Sequence, residues 1–521
     1  MKKFIVNRKE FDQYQDMVSR LYPELTSQAK ELHKNSMSTM EITFQVTNAC
    51  SLACSYCYQI NKGIKVMSFD TAKRFIDNLF NDKYKGYVSL EEKPFLILDF
   101  IGGEPFLQPK LIEQICDYFY DKAIELIHPW AEHSIISVCT NGVHWFEPEV
   151  QHLLNKYGNR MSLSVTIDGD KELHDSCRRF PDGRPSYDLA WAAAQDWIKR
   201  GGYIGSKITI APANLQYMNK AIKHFIEAGY TEINANTVYE WGWNLNYAKE
   251  FYQKLIEIAD YLIDNNLEQK IYLSLFVEEL GKPEDPNKLE TWCGGVGNAM
   301  LAIDPDGNLY PCLRYMDSSL GTDQTPMIFG TVDDGMGQLE VHAKRMQCMG
   351  CITRQTEMCD ECYYCPIGMG CAECAAYDYQ VYGTPNHHCT YLCDMHVARC
   401  LANCYFWNKC YQKHDTEQVF SLWVPDDWAL KIISPEELQM LKNLTGEPNK
   451  IIQHPHPEEV IEWQKKLGEV PEDYNEDELR KKFKADLVAK GLGVGKAGTK
   501  EEWDEGTKET GEWIPQNQSI G

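Results

Sequence analysis

The run MEITFQVTNACSLACSYC (residues 40–57) joins a strand pattern to a cluster of thiols. Met40, Ile42, Phe44 and Val46 alternate with Glu41, Thr43 and Gln45, the period-two pattern of a strand with one buried face. Directly after it come Cys50, Cys54 and Cys57, spaced x3 and x2. Three thiolates from one loop can hold three irons of a 4Fe–4S cube and leave the fourth without a protein ligand. An open metal position is where a small molecule can be chelated and activated, by the logic that keeps catalytic zinc three-coordinate to protein.

The same alternation of strand and helix continues. Strand-like runs stand at 95–100, 134–139, 161–167, 207–211 and 232–238. Helix-length segments lie near 68–82, 109–127, 147–157, 187–200, 215–228 and 244–265. Six strand–helix units imply parallel strands with helical crossovers, hence an α/β barrel or open sheet. Every motif sits at the end of a strand: Gly102-Gly103-Glu104-Pro105, Thr140-Asn141-Gly142 and Thr166-Ile167-Asp168-Gly169 follow the second, third and fourth strands as the thiols follow the first. A GG or DG turn is usually structural. Four motifs at the C-terminal ends of strands, the face where α/β barrels assemble active sites, point to a ligand.

Composition narrows the class further. A chain of 521 residues suggests two or three domains. It lacks an apolar run long enough to span a bilayer. Its net charge of -24 argues against binding phosphate backbones, so neither membrane nor nucleic acid is an expected partner. The N-terminus is basic without an apolar stretch behind it, so a reducing cytosol is expected. There, 20 Cys are better metal ligands than disulfide partners. Fourteen of them lie between Cys293 and Cys410. The stretch from Asp415 has 23 acidic and 13 basic residues. It reads as an acidic extension with helices near 456–468 and 475–490 and a flexible end of about 30 residues.

TNACSLACSYCYQ, FIGGEPFL, CTNG and SVTIDGDKELHDSCR resemble the radical S-adenosylmethionine (SAM) enzymes, over about residues 40–415. The resemblance implies a partial (β/α)6 TIM-type barrel in which one electron from a 4Fe–4S cluster cleaves SAM to methionine and a 5'-deoxyadenosyl radical. By the same resemblance Cys50, Cys54 and Cys57 bind the cluster, Tyr56 packs near adenine, and Gly102, Gly103 and Glu104 take the methionine amino group. Thr166 meets the ribose and Arg178 pairs with the SAM carboxylate, a role its planar fork suits. Asn141 and Asp168 complete the expected cofactor-binding set.

In the Cys-rich region, Pro305-Asp306-Gly307-Asn308 is turn chemistry between two apolar runs, so a hairpin should draw Cys293 and Cys312 together. The region resembles the SPASM auxiliary-cluster domain, which implies two further 4Fe–4S clusters. One would take Cys362, Cys365, Cys371 and a late Cys, Cys393. The other would take Cys293, Cys312 and Cys374, with a fourth ligand among Cys348, Cys351 and Cys359 or an opening to a substrate thiolate. Cys400, Cys404 and Cys410 are surplus, read as packing residues or a third cluster. The expected domains are an N-terminal helical extension (1–39), the barrel (40–270), the SPASM-like domain (271–414) and the acidic, mostly helical or flexible tail (415–521). The extension is too short for a separate leader-binding domain.

WCGGVGNAMLAIDPDGNLYPCLRYM and the run from CPIGMGCAEC to CYFWNK resemble the radical SAM peptide maturases of targets with CXXX repeats. This implies a Cys-rich precursor peptide as substrate; thioether crosslinking is the leading expectation for the reaction, because auxiliary clusters hold a thiolate deprotonated and can accept the surplus electron, and an electron donor such as flavodoxin or ferredoxin is expected. Carbon–carbon crosslinking and epimerisation are the alternatives. A sulfatase-type formylglycine maturase is disfavoured, because Leu313 stands where those relatives place an Asp base. A non-catalytic zinc module is the remaining contrast.

Overall fold

The computed structural model describes residues 39–445, apart from 85–86, 89–92, 203–204, 241, 284–292, 294, 297–298, 322–323, 351, 353–359, 364, 384 and 386. The N-terminal extension, the helices expected at 456–468 and 475–490, and Cys351 and Cys359 lie outside the described residues. The side chain of Cys348 is likewise not described.

β1 (Thr39–Thr47) forms where the alternation predicts a strand, with Met40, Ile42, Phe44 and Val46 wholly buried; the expected single buried face is corrected, because Thr43, Gln45 and Thr47 on the other face are buried too. β2 (Phe95–Gly102) pairs with it in parallel, Ile42 opposite Leu98 and Phe44 opposite Phe100. The Phe44 and Phe100 rings stack at 5.5 Å, and Phe75 of α1 (Phe69–Phe80) meets Phe44 edge-on at 5.4 Å. Such offset and edge contacts add to the burial of each ring. Ser68 starts α1 as its N-cap, accepting from Thr71 N at 3.0 Å, and Ala72, Phe75, Ile76 and Leu79 make its buried stripe.

α2 (Pro109–Glu125), β3 (Ser134–Thr140), α3 (Pro148–Tyr157) and β4 (Met161–Val165) repeat the unit, with β2–β3 and β3–β4 parallel. After α4 (Lys171–Cys177) and α5 (Tyr187–Lys199) come β5 (Gly205–Ile210), α6 (Met218–Glu227), β6 (Glu232–Thr237), α7 (Leu245–Asp264) and the short β7 (Tyr272–Leu273). All six expected strands and six expected helices are present, in an α/β fold built on parallel strands. The strands fall into two hydrogen-bonded sheets. β5–β6–β7 is one; the other has the order β11-β10-β9-β8-β1-β2-β3-β4.

The extra strands come from the Cys-rich half. β8 (Met300–Ile303) and β9 (Asn308–Tyr310) form the expected hairpin, Ala302 opposite Tyr310. Gly307 closes it at φ 86°, a left-handed position that favours glycine. Asp304 locks the turn by accepting from the backbone of Asp306 and Asn308, both at 2.9 Å. β8 also pairs in parallel with β1, Ile303 opposite Phe44, covering an edge that would otherwise carry unpaired backbone groups. β10 (Gly330–Thr331) and β11 (Gly335–Met336) extend this sheet, and α8 (Glu340–Gly350) follows.

The chain divides into two compact units that cut across sequence order. The first holds residues 1–166, 178–203 and 291–350; the second holds 167–177, 204–290 and 351–521. The hairpin, expected as part of a separate SPASM-like domain, belongs to the unit of β1–β4. The second unit also contains α9 (Asp360–Tyr363), α10 (Ala375–Tyr382), α11 (Cys393–Lys413), α12 (Asp426–Ile432) and α13 (Pro435–Leu444). Among the described residues no helix is long and apolar enough to cross a membrane.

Candidate metal and cofactor site

In the first unit, the loop after β1 carries Cys50, Cys54 and Cys57 as free thiols. It is shaped largely by backbone contacts. Gly103 N donates to Thr47 O at 2.9 Å and Glu104 N to Ala49 O at 2.8 Å, so the GGE turn continues the pairing beyond the β1–β2 ladder. On the other side Ala53 N donates to Arg179 O at 2.8 Å. Asn61 N donates to Ser318 O at 3.1 Å, and its side chain donates to Asp317 O and Leu320 O, pinning the loop's exit to the segment after the hairpin.

The thiols stand among two cations. Burial pushes the Cys54 thiol up to about 11, opposed chiefly by the Arg178 guanidinium. Cys50 is likewise raised by burial, with Lys62 the main opposing charge. Burial works against the Lys62 ammonium in turn, yet Cys57, Cys50 and Cys54 together raise it above its ordinary value. Sequence reasoning missed Lys62; its signal was a basic residue five positions after Cys57. Metal ligation requires thiolates, and cations at this loop offset their charge.

The other candidates fall around this loop with differing contacts. Arg178 Nη1 donates to Tyr56 Oη at 2.7 Å, with its guanidinium carbon 6.0 Å from the ring centroid. Asn141 Nδ2 reaches Ser51 Oγ at 3.2 Å and Cys50 Sγ at 3.9 Å, while its Oδ1 accepts from Val143 N. Thr166 N donates to Thr140 O, and its Oγ1 lies 3.4 Å from Cys139 Sγ. Glu104 is buried and faces inward: Oε1 accepts from Thr140 Oγ1 at 2.6 Å and Phe106 N at 3.0 Å, and Oε2 from Asn141 N at 2.8 Å. Burial raises its pKa, and these three donors pull it back. The Glu104 carboxylate therefore braces the β2 and β3 loops against each other. Glu104→Gln turns an amide N–H toward Asn141 N–H; we expect a loss of about 1–3 kcal/mol of stability, read by denaturant unfolding.

Asp168 lies in the second unit. It is buried, and its Oδ1 accepts from Thr209 N of β5 at 3.2 Å. Its own N donates to His174 Nδ1 at 3.4 Å.

Cys293 and Cys312 belong to the first unit. Gly295 sits between them: a methyl there would stand 3.4 Å from Cys312 Sγ and 3.6 Å from Cys293 Sγ, so the sulfurs are within about 7 Å of each other. Cys362, Cys365, Cys371, Cys374 and Cys393 belong to the second unit. Cys371 is raised well above an ordinary thiol by burial, then by the charges of Glu373, Cys393, Cys365 and Cys400. Nearby, Glu373, Asp378 and His388 gather their ligand atoms within 4.8 Å, with His388 Nε2 2.6 Å from Glu373 Oε2. This carboxylate–imidazole group was not foreseen, because its members lie on a loop, a helix and a second loop. Among the described residues every Cys is free of disulfide bonds, as thiolate ligation requires.

Parallel strands with a three-thiol loop at their C-terminal ends define an α/β metal-cofactor domain. Residues 44–255 match the radical SAM superfamily of enzymes. SAM and a 4Fe–4S cluster are the cofactors that go with it. The free thiols, the flanking cations and the Gly103 cradle fit them. An uncharacterised protein of Methanocaldococcus jannaschii is 30% identical over 201 residues, 37% of this chain and 60% of that protein. A serine-type anaerobic sulfatase-maturating enzyme of Bacteroides thetaiotaomicron is 30% identical over 147 residues, 26% of this chain and 31% of that enzyme. The chain thus spans no more than three fifths of the length of either relative. The solved structure of anSMEcpe with bound AdoMet shares the fold at a TM-score of 0.50 and 16% identity, covering 77% of this chain and 99% of that one.

Proposed function

We propose that this protein is a peptide maturase that oxidises a Cys-rich precursor, joining a Cys sulfur to a carbon in a thioether. When bound, the cluster and SAM supply one-electron reductive cleavage and hence hydrogen-atom abstraction from the substrate. In this reading Cys50, Cys54 and Cys57 hold the cluster, Arg178 and Tyr56 receive SAM, and Glu104 fixes Asn141 beside the loop. The residues from 293 onward act as a SPASM-like auxiliary region, and a flavodoxin or ferredoxin supplies electrons in the cytoplasm.

One observation carries the reading. A second thiol pair, Cys293 and Cys312, is built onto β8, the strand paired with β1. The register puts that pair toward the N-terminal end of β1, whereas Cys50 lies past its C-terminal end. Six residues of strand, from Glu41 to Thr47, separate the two levels by roughly 20 Å. Hydrogen abstraction alone needs no second metal site. A linkage that removes two hydrogens leaves an electron to be accepted, and thiols at that remove suit an acceptor better than a reacting group. The relative that matures sulfatases supports a polypeptide substrate.

The test is anaerobic reaction with the Cys-rich precursor peptide, SAM and a reductant. Loss of two hydrogens per linkage with consumption of thiols is expected. An unchanged peptide mass with solvent deuterium incorporated would overturn crosslinking in favour of epimerisation. That second reading has one observation of its own: Cys139 is exposed near the C-terminal end of β3, beside Thr166, where an S–H could return hydrogen to a substrate radical. Under it, Cys139→Ala stops deuterium uptake. Crosslinking that survives this substitution, without deuterium uptake by the wild type, removes it.

A further inference from the structure

We propose that Cys400 is a ligand of an auxiliary iron–sulfur cluster in the second unit, beside Cys365, Cys371 and Cys393; this rests on the auxiliary-cluster reading above. Cys400 lies on α11 four residues after His396, one turn along the same face. Its Sγ is 3.5 Å from His396 Nε2, and that nitrogen is 2.6 Å from Ile367 O, in the middle of the Cys365–Cys371 loop. The helix therefore presents the Cys400 sulfur where it is fastened to that loop.

A second strap reaches the same point. Gly281 N donates to Met369 O and Met369 N to Lys282 O, both at 2.9 Å, and a methyl on Gly281 would stand 2.7 Å from Cys400 Sγ. Loop, strap and helix converge on this one sulfur. The half-buried Arg399 side chain, held by Ser274 O and Leu275 O, supplies a fixed positive charge next in sequence.

Cys404, one turn further on, has different surroundings. Its Sγ is 4.0 Å from Phe420 O and 3.5 Å from Asn408 Nδ2, with Asn408 also bonded to Phe420 N and O. Those contacts splice the chain after α11 onto the helix, which is a packing role. Cys400 and Cys404, both buried on one helix, therefore make a matched pair.

The test uses full-length protein carrying Cys50→Ala, Cys54→Ala and Cys57→Ala, so that only auxiliary clusters remain, reconstituted anaerobically. Adding Cys400→Ala is expected to remove about one to four irons per chain, with sulfide in proportion. Cys400→Ser, which keeps the volume and offers oxygen for sulfur, is expected to alter the electron paramagnetic resonance spectrum of the reduced cluster. Cys404→Ala should leave iron, sulfide and spectrum unchanged. Parental iron, sulfide and spectrum in both Cys400 variants overturn the proposal, as does an unchanged spectrum in Cys400→Ser should Cys400→Ala fail to fold. A parent with no iron at all overturns the auxiliary-cluster reading itself, and Cys400 with it.

Discussion

The variant with Cys50, Cys54 and Cys57 all replaced by Ala is expected to lose about four irons and four sulfides per chain and to form no 5'-deoxyadenosine above background. The loop from residue 48 to residue 66 carries no other Cys. Among the described residues, Cys139 is the Cys on the neighbouring strand ends, and it stands against Thr166. The fold should survive, because the strand before the loop is held by Met40, Ile42, Phe44 and Val46, none of which the substitutions touch. Burial penalises the charged forms of Cys50 and Cys54, so their removal from metal-free protein costs packing more than electrostatics. Circular dichroism unchanged from wild type, with iron and SAM cleavage both lost, is the expected pair of results. SAM cleavage retained at the wild-type rate would dismiss the three-thiol loop as the cluster site.

Gly103→Ala is expected to be nearly as damaging through a different cause. Its methyl would overlap Ala49 O and stand 2.7 Å from Cys50 Cβ. Ala49 O is backbone and already accepts from Glu104 N, so it cannot swing aside as a flexible side chain would. The GGE turn and the thiol loop must separate, and Cys50 moves with them. A displacement of about 1 Å at a reacting centre costs on the order of 100-fold in rate. We therefore expect SAM cleavage to fall by about that factor, with part of the iron retained. Gly63→Ala serves as the control, since its methyl would meet only Asn48 Cβ, at 3.8 Å. Equal activity of the two variants would refute the argument.

Much of the first unit was legible because its signals are local. Met40 to Val46 announce a strand by alternation, and Pro305 to Asn308 announce a turn by composition. The three thiols declare their chemistry by spacing. What remained hidden depends on partners far away in sequence. Nothing in MLAI (300–303) says that it will lie beside residues 41–44. Glu104 read as a group for a ligand's ammonium, and alternation cannot reveal that Thr140 and Asn141 already occupy its carboxylate. Lys62 was invisible because a lysine in a loop is ordinarily a solvated charge. Cys400 and Cys404 read alike as surplus, since a helical sequence does not record which turn is strapped to a loop and which to the chain that follows.

The pairing of β8 with β1 also sets an order of events during synthesis. Residue 303 leaves the ribosome roughly 13–50 s after residue 44 at about 5–20 residues per second. Throughout that interval the edge of β1 that β8 will cover is open, and strands with open edges are the ones that pair with the wrong chain. The loop carrying Cys50 hangs from that same strand, and its exit is fixed only when residues 317–320 arrive. The first thiols to be made are thus held in place only once about three fifths of the chain has been synthesised, so metal loading at this loop belongs after that point rather than to the beginning of translation.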